Sequence, residues 1–280
     1  MENFNENWDP VKKVKWRIID SGFADAFFNM AADEYLMGFV RRTSIPVLRF
    51  YQWEPSAITI GYAQNVKEFL DIDFIASQGM DWVRRITGGE AVLHKGDLTY
   101  SSCVPEDIIP RRSPRNFYLL LSYAISGAIR KLGVLTDNLE LLPSGRTKNF
   151  NCFVSKSNYE VSFEGKKIVG SAQRRSNGIL LQHGAIMLDV DYKCLDRVFM
   201  KTDNILVKGE NELKKRLCGV NEIASQKVKP GEIKTLILKT IEEFGISYEE
   251  KAFSASELSE INEIAERKYK LPSWNREGRY

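Results

Sequence analysis

The chain has 280 residues, of which 40 are basic and 37 acidic, and 43% of its residues are hydrophobic. The apolar content is sufficient for one large core, and a formal net charge of +3 is too small to indicate nucleic-acid binding. No charged segment followed by an apolar one opens the sequence and no apolar run reaches membrane-spanning length, so we expect neither a signal peptide nor a membrane partner. We expect one domain over residues 1–280, with a C-terminal helical extension over residues 246–280 packed on it.

The first part of the chain alternates predicted strands and helices. Residues 16–20, 46–53 and 57–62 are rich in strand-forming residues, which predicts three short strands. Between the first two, residues 24–42 place apolar side chains mostly at helical spacing, with charge on the opposite face, so an amphipathic helix is predicted there. Residues 66–77 predict a second helix, which ends at Gly79.

The stretch over residues 82–94 combines two arginines with a glycine pair. We predict a strand that runs into the Gly88-Gly89 turn and a second strand after it, completed as a pair by residues 97–104. Glycines permit positive φ and expose main-chain N–H groups, so the turn could hold a carbonyl or phosphate oxygen beside Arg84 or Arg85. An ordinary hairpin turn is the alternative, because the stretch is neither a P-loop nor a dinucleotide fingerprint.

A long helix and a β-hairpin follow. Residues 115–132 have the apolar stripe of a core helix, with Ser113 as the N-cap and Gly133 at the end. Residues 159–163 alternate apolar and polar side chains ahead of a plausible turn, which predicts a hairpin whose return arm spans residues 167–172.

That return arm ends in three small residues, Gly170, Ser171 and Ala172. A strand gives up packing volume where something must approach its backbone closely. A third strand is predicted over residues 179–188, and helices over residues 192–200, 232–244 and 256–269.

Cys152 differs from the other three cysteines, which lie in apolar surroundings or near a helix end and are predicted to be small hydrophobic residues: Cys103, Cys194 and Cys218. It follows the polar residue Asn151 and precedes the hairpin that carries Lys166 and Lys167. A buried inert thiol and a nucleophile both fit this position, and a nearby cation would favour the nucleophile by stabilising its thiolate. No Cys-x-x-Cys spacing occurs and the chain has two histidines, so we expect no metal site and a cytoplasmic enzyme with reduced thiols.

Three segments together resemble motifs of the lipoate-protein ligase and octanoyltransferase family, and they occur in the order of that family. They are Arg84-Arg85-Ile86-Thr87-Gly88-Gly89 with Ala91-Val92-Leu93-His94, then Gly165-Lys166-Lys167-Ile168-Val169-Gly170-Ser171-Ala172-Gln173, then Leu181-Gln182-His183-Gly184. The resemblance covers about residues 16–275. It implies an α+β fold with a mixed, mostly antiparallel sheet flanked by helices, similar to biotin protein ligases and class II aminoacyl-tRNA synthetases.

Within the family, a cysteine followed by phenylalanine ahead of a Tyr-Glu-Val strand resembles the cysteine-dependent octanoyltransferases. The resemblance implies that Cys152 becomes an acyl thioester, and that Lys167 lowers its pKa and holds the acyl carbonyl. It also implies a set of substrate-binding residues around an acyl tunnel: Arg84, Arg85, Thr87, Gly88, Gly89, Ala91, His94, Gly170, Ser171, Ala172, Gln182, His183 and Gly184. Glu90 departs from the pattern, where glycine or arginine is commoner, and its carboxylate would repel a nucleotide phosphate.

The reaction implied is transfer of octanoyl from octanoyl-acyl carrier protein, through the Cys152 thioester, to a lysine of a lipoyl domain. The acceptor would be glycine cleavage H protein or an E2 subunit, and neither ATP, a metal nor another cofactor is needed. Both partners are acidic, so a set of basic residues could guide docking, or could be scattered solvated charge: Lys12, Lys13, Lys15, Arg111, Arg112, Arg115, Arg146 and Lys148.

Three alternatives remain open for the function. An ATP-dependent lipoate-protein ligase would form lipoyl-AMP and hold it with Lys167, while an amidotransferase would move octanoyl between lipoyl domains. A non-catalytic acyl-binding protein on the same fold is the third. The histidines His94 and His183, beside glycines in apolar strands, are either structural wall residues or general bases. The loop over residues 141–148 could move over the Cys152 hairpin.

Overall fold

The computed structural model describes residues 8–134, 139–142, 160–199 and 209–278. Cys152 and residues 143–148 of the loop predicted to move over it lie outside the described residues. The helices are α1 Asp9–Lys12, α2 Ala26–Thr43, α3 Ile72–Ser77, α4 Pro114–Lys131, α5 Tyr192–Val198, α6 Glu210–Lys214, α7 Pro230–Glu243, α8 Ala255–Ile264 and α9 Pro272–Glu277. The strands are β1 Trp16–Ala24, β2 Val47–Trp53, β3 Ala57–Ile60, β4 Asp81–Arg84, β5 Val92–His94, β6 Asp97–Pro105, β7 Leu139–Leu142, β8 Glu160–Phe163, β9 Lys166–Lys167, β10 Val169–Ser176, β11 Ile179–Met187 and β12 Tyr248–Glu250.

A six-stranded sheet in the order β10-β11-β6-β2-β1-β12 forms the centre of the molecule. The pairs β10–β11, β11–β6 and β6–β2 are antiparallel, whereas β1 runs parallel to both β2 and β12. Helices cover both faces. The predicted fold class, an α+β domain around a mixed, mostly antiparallel sheet flanked by helices, is therefore confirmed.

Alternate side chains of the central strands enter two separate cores. On one face, Leu48 and Phe50 of β2 pack in a cluster with apolar residues of α4 and α7. On the other, Val47 and Tyr51 pack with α2 and with the C-terminal residues 261–274. Because side chains alternate across a strand, a central strand covered on both faces is apolar along most of its length.

The C-terminal residues extend the same sheet. Strand β12 pairs with β1, and a short π-helical turn, Ala265–Tyr269, continues α8. Arg17 of β1 donates to both carboxylate oxygens of Glu257 at 2.6 and 2.9 Å, which fastens α8 to the sheet. In the described ranges, no helix combines the length and the apolar composition that crossing a bilayer requires.

The structure corrects the predicted pairing around the glycine pair. Strand β5 pairs antiparallel with β3, which also pairs in parallel with β4, so these strands form a separate three-stranded sheet. The predicted pairing of β5 with residues 97–104 is wrong, because β6 is buried along its whole length between β11 and β2. The Gly88-Gly89 turn therefore joins the two outer strands of this small sheet.

Two other segments differ from their predictions. Residues 66–77 form a 3₁₀ turn, Val66–Glu68, and then α3, which begins anew because the side chain of Asp71 caps it. The return arm of the hairpin is divided between two sheets: β9 pairs with β8, while β10 joins the edge of the main sheet. Lys167 is the last residue of β9 and lies where the chain changes sheets.

Candidate active site

A cavity lies between the small sheet and the β10–β11 edge of the main sheet, with about 330 Å³ of space unoccupied by atoms, part of which is open to solvent. Seven of the predicted site residues line it: Arg85, His94, Gly170, Ser171, Ala172, His183 and Gly184. The rest of the lining comes from α2 and from strands β2, β3, β5, β6 and β11: Met30, Tyr51, Trp53, Thr59, Val92, Thr99 and Ala185. The fold thus brings together residues from all three sequence motifs, and apolar side chains form a large part of the wall.

Small residues open this space where β10 and β11 pair. A Cβ atom on Gly184 would lie 2.6 Å from Ser171 Oγ and 2.7 Å from the carbonyl oxygen of Gly170. Such distances are far inside van der Waals contact, so only glycine fits at position 184. The small residues of β10 thereby allow close approach by groups of the protein itself as well as leaving room for a ligand.

Arg85 shapes the glycine turn from within. Its Nη2 donates to the carbonyl oxygens of Gly88 and Glu90, both at 2.7 Å, and its Nε donates to Thr87 Oγ1 at 3.0 Å. Gly89 has a φ of +86°, which a residue with a Cβ rarely adopts. Because its carbonyl groups accept from the guanidinium, the turn is held against Arg85, which itself lines the cavity.

Gly61 offers a test of this turn, because its position allows no side chain. A Cβ atom there would lie 1.9 Å from the carbonyl oxygen of Gly89, so Gly61→Ala must displace the turn. We expect catalytic activity to fall about 100-fold, a loss that a displacement of about 1 Å can cause. The control is Gly231→Ala on α7, where a Cβ would meet nothing within 4 Å. Equal kcat/KM for the two variants would contradict the prediction.

His183 is held at both ring nitrogens. Nδ1 lies 2.7 Å from Asp33 Oδ2 and Nε2 lies 2.6 Å from Thr87 Oγ1. The Asp33 carboxylate can only accept, so the ring carries its proton on Nδ1, and in the neutral ring Nε2 then accepts the Thr87 hydroxyl proton while Thr87 Oγ1 accepts from Arg85. Burial lowers the pKa of His183 despite the opposing effect of Asp33. A neutral ring with both nitrogens engaged favours the structural alternative for this histidine.

His94 repeats this arrangement on the opposite wall. Its Nδ1 lies 3.0 Å from Asp97 Oδ2 and its Nε2 lies 3.0 Å from Thr59 Oγ1. The ring stacks on Trp53 with 4.0 Å between centroids. A stacked ring held at both nitrogens again favours a wall residue over a general base.

The aspartate behind His183 was not predicted from the sequence. Asp33 of α2 lies 3.2 Å from Arg49 Nη1, and the side chains of both residues are fully buried. Burial alone would raise the pKa of Asp33, but His183 and Arg49 outweigh it and hold that pKa below its usual value. Its position, three residues after Met30 and three before Leu36, put a carboxylate on the apolar face of the helix. A charged side chain on the apolar face of a helix is unusual, and this feature of the sequence could have identified Asp33 as a candidate.

Arg84 lies outside the cavity lining. Its guanidinium donates to six main-chain carbonyl oxygens, those of Gly61, Tyr62, Gln64, Trp274, Asn275 and Arg276. In return, Trp274 Nε1 donates to the carbonyl of Arg84 at 2.8 Å. Arg84 therefore fastens the C-terminal helix α9 beneath the small sheet.

The other predicted residues lie outside the cavity lining. Thr87 orients His183, and the Gly88-Gly89 turn receives the hydrogen bonds of Arg85. Ala91 is buried in an apolar cluster with residues of β3. Gln182 donates to Tyr100 Oη at 2.9 Å.

Lys167 is buried at the junction of two sheets, three residues before Gly170. Its Nζ lies 2.5 Å from Glu160 Oε1, and the side chains of both residues are about 5% exposed or less. Removing one partner of a buried ion pair leaves an uncompensated charge in the interior, so the two side chains depend on each other. The predicted proximity of Lys167 to Cys152 stays a prediction, since Cys152 lies outside the described residues.

The described cysteines are poor candidates for a nucleophile. Cys103, Cys194 and Cys218 are all buried, as predicted for small hydrophobic residues. Burial raises the pKa of each thiol, well above the usual value for Cys103 and to about 12 for Cys218. These thiols therefore stay protonated near pH 7. In the described part of the chain, no group of three or more His, Cys, Asp or Glu residues is placed to hold a metal ion.

Comparison with known proteins places this geometry in a family. Residues 25–242 match the family model for the lipoyl protein ligase A/B catalytic domain. Octanoyltransferase LipM of Geobacillus kaustophilus is 36% identical over 279 residues, covering 95% of this chain and 99% of the relative. The Staphylococcus aureus enzyme of the same name is 34% identical, covering 92% and 97%.

Solved structures share the fold. Lipoate-protein ligase A bound with ATP superposes with a TM-score of 0.77 at 23% identity, covering 94% of this chain and 99% of that one. A bi-partite lipoate protein ligase, studied with its E2 lipoyl domain from Thermoplasma acidophilum, gives a TM-score of 0.75 at 24% identity, covering 94% and 96%. At these identities the likeness concerns the fold alone.

Proposed function

We propose a mechanism for this chain, which belongs to the family of lipoyl protein ligase A/B catalytic domains and is an octanoyltransferase. The observation that carries the activity is the similarity to octanoyltransferases at more than 30% identity over nearly the whole chain. The cavity supports it, because a slot with a partly apolar wall and small residues along two strands suits a medium-length acyl chain.

In the first step, the Cys152 thiolate attacks the carbonyl carbon of an octanoyl thioester carried by acyl carrier protein. The carbon–sulfur bond to the carrier breaks and the carrier thiol leaves as a thiolate, which takes up a proton from water. One thioester replaces another, so no external energy source is needed. A covalent octanoyl-enzyme remains, which predicts ping-pong kinetics.

In the second step, the neutral amine of a lipoyl-domain lysine attacks the same carbonyl carbon. The nitrogen loses a proton to water, an amide bond forms, and the carbon–sulfur bond to Cys152 breaks so that its thiolate leaves. Aminolysis of a thioester is favourable, so neither ATP nor a metal ion takes part. The proposed acceptors are glycine cleavage H protein and E2 subunits, in the cytoplasm, and the acidic character of both partners suits the basic residues named above.

Lys167 supplies the positive charge that the first step requires. A cation near Cys152 stabilises its thiolate, and the same charge lies close to the carbonyl oxygen that becomes negative during attack. The pairing with Glu160 supports this role, because a carboxylate compensates the charge of a lysine in the interior. Support also comes from the other three cysteines, whose buried thiols are unsuited to the task.

The test uses octanoyl-acyl carrier protein without ATP, followed by intact mass measurement. We expect the wild-type protein to gain one octanoyl group that hydroxylamine removes, and Cys152→Ala to gain none. Cys194→Ala is the control and should be acylated like the wild type, since that thiol is buried on α5. An adduct on Cys152→Ala would contradict the mechanism, and ATP-dependent loading of free lipoate without an adduct would support a ligase instead.

A further inference from the structure

A groove on the protein surface lies beside the active-site cavity and shares no lining residue with it. The groove has about 1020 Å³ of space unoccupied by atoms, part of which is open to solvent. Its walls come from the outer face of α2, the β10–β11 hairpin, Tyr62, Ile86 and C-terminal residues between 268 and 278. None of the basic residues singled out in the sequence lines this groove.

The groove and the cavity are neighbours along β10. Ala172 lines the cavity, and Arg174, two residues further on the same face of the strand, lines the groove. Two residues advance a strand by about 7 Å. Arg174 Nη1 also donates at 2.7 Å to the carbonyl oxygen of Ile86, which directly precedes Thr87. A molecule bound in the groove would therefore sit next to the acyl site without filling it.

The outer face of α2 presents four residues to the groove at helical spacing: Glu34, Met37, Gly38 and Arg41. Gly38 lies in the interior of the helix, where glycine is destabilising relative to alanine. Packing within the protein does not demand a glycine, because an added Cβ would meet only the flexible end of the Arg42 side chain, at 3.3 Å. Its position therefore favours close approach of another molecule to α2.

The groove carries uncompensated positive charge. Its one carboxylate, that of Glu34, is already engaged, because Lys268 Nζ lies 2.7 Å from Oε2 and Tyr269 donates to the same oxygen at 2.6 Å. Among the residues that the structure describes, Arg41 and Arg174 have no carboxylate partner. An acidic partner would supply the missing counter-charges.

Aromatic and apolar surface accompanies this charge. The side chain of Tyr62 is 46% exposed, its ring centroid lies 5.9 Å from that of Trp274, and the guanidinium of Arg174 lies over it. Met37 and Ile86 also line the groove. Arginine beside aromatic side chains is the composition typical of protein–protein binding sites. The groove therefore fits an acidic protein surface that also carries apolar side chains.

We propose that this groove binds the acyl carrier protein that donates the octanoyl group. This inference rests on the proposed octanoyl transfer, in which both partner proteins are acidic, and their reach distinguishes them. The donor carries its thioester at the end of a long, flexible phosphopantetheine arm, so it can bind beside the cavity. The acceptor lysine has only its own side chain, so its domain must lie at the cavity itself.

Binding of the carrier can be measured without any chemistry on Cys152. The ligand is acyl carrier protein whose arm bears an octyl thioether, which cannot acylate a cysteine. We expect Arg41→Glu to bind it about tenfold more weakly than the wild type, with a difference that shrinks as salt screens the charges. Calorimetry at several salt concentrations measures both affinities.

Lys239→Glu is the matched control for this measurement. It makes the same charge reversal at an exposed residue of α7, which packs on the opposite face of the main sheet from α2. Equal affinities of Arg41→Glu and Lys239→Glu would overturn the proposal, and so would a wild-type protein that does not bind the carrier. A wild type that binds the carrier but acylates with no octanoyl donor would contradict the proposed transfer and leave the docking site standing.

A kinetic comparison of two donors tests the groove by its shape. Gly38→Gln adds bulk to α2 without charge, and the melting temperature should not fall, because glutamine favours a helix more than glycine does. We expect kcat/KM for octanoyl-acyl carrier protein to fall about tenfold. The value for octanoyl-pantetheine, which has the arm but no protein, should stay unchanged. Gly231→Gln on α7 is the control, since a Cβ there would meet nothing within 4 Å.

Three other results would overturn the assignment of the groove to the donor. An equal loss with both donors would indicate damage to the acyl site. A fall confined to kcat/KM for the lipoyl domain would assign the groove to the acceptor. A wild-type dimer that Gly38→Gln dissociates would assign it to a second copy of this chain.

Discussion

Replacing Lys167 with methionine is expected to slow formation of the octanoyl-enzyme about 1,000-fold at pH 7. A free cysteine has a pKa near 8.5, and a nearby ammonium that lowers the pKa of the thiol raises its thiolate population at pH 7. Methionine keeps the length of the side chain and removes its charge. The lost stabilisation of the developing oxyanion accounts for the remaining factor.

The pH dependence of the acylation rate distinguishes the loss of the Lys167 charge from a change in packing. The wild-type acylation rate should level off below pH 8, whereas the rate of Lys167→Met should keep rising towards pH 8.5, as expected for an unperturbed thiol. Single-turnover mass spectrometry between about pH 5 and 9 measures both curves. Lys166→Met is the control, since this neighbouring lysine is only partly buried and should leave the rate within about twofold.

The free energy of unfolding of the Lys167→Met variant should be measured together with its acylation rate. Lys167→Met leaves the Glu160 carboxylate without its ammonium partner in the interior, which is itself destabilising. The double variant Glu160→Gln with Lys167→Met removes both charges and should recover stability but not the acylation rate. A double variant that acylates as fast as the wild type would contradict the catalytic role of Lys167.

The sequence periodicity predicted most elements because it reports burial directly. Helix α4 lies within one residue of its prediction at each end, and β11 also agrees within one residue. Pairing was harder, because β5 and β6 are both buried along their whole length and the sequence does not distinguish neighbours in one sheet from strands in two. The prediction for the return arm of the hairpin was wrong for a similar reason. The chain changes sheets after Lys167, and the pattern of apolar and polar residues does not show that change.

The residues of the candidate site were also predictable only in part. Residues that leave space, such as Gly170 and Gly184, were predictable because small residues in a strand require an explanation. The buried side chains that pair with His183 and Lys167 were not predictable. Asp33 comes from a helix 150 positions away from His183, and the alternation over residues 159–163 assigned Glu160 to the polar face, although it is buried. Long-range contacts of this kind depend on the fold, which a local pattern does not contain.

Asp33 is the residue whose replacement should cost the most stability. The Asp33→Asn variant keeps the shape of the side chain but leaves the fully buried guanidinium of Arg49 without its counter-charge. Breaking a buried pair on one side typically lowers the free energy of unfolding by about 3–5 kcal/mol, and we expect that loss at pH 7 in urea denaturation. Asp73→Asn on the exposed start of α3 is the control and should stay within about 0.5 kcal/mol.

The pH dependence of the stability difference between the wild type and Asp33→Asn shows whether the carboxylate charge causes it. The folded-state pKa of Asp33 is below its usual value, so the stability it contributes is present above about pH 4 and disappears as pH falls through the lowered pKa. The wild-type protein should therefore approach Asp33→Asn in stability at low pH. His183 also has a lowered pKa, so its buried neutral ring begins to oppose folding as pH falls below about 6.5. A stability difference between the wild type and Asp33→Asn that stays constant from pH 7 to pH 3 would show that the carboxylate charge is not its source.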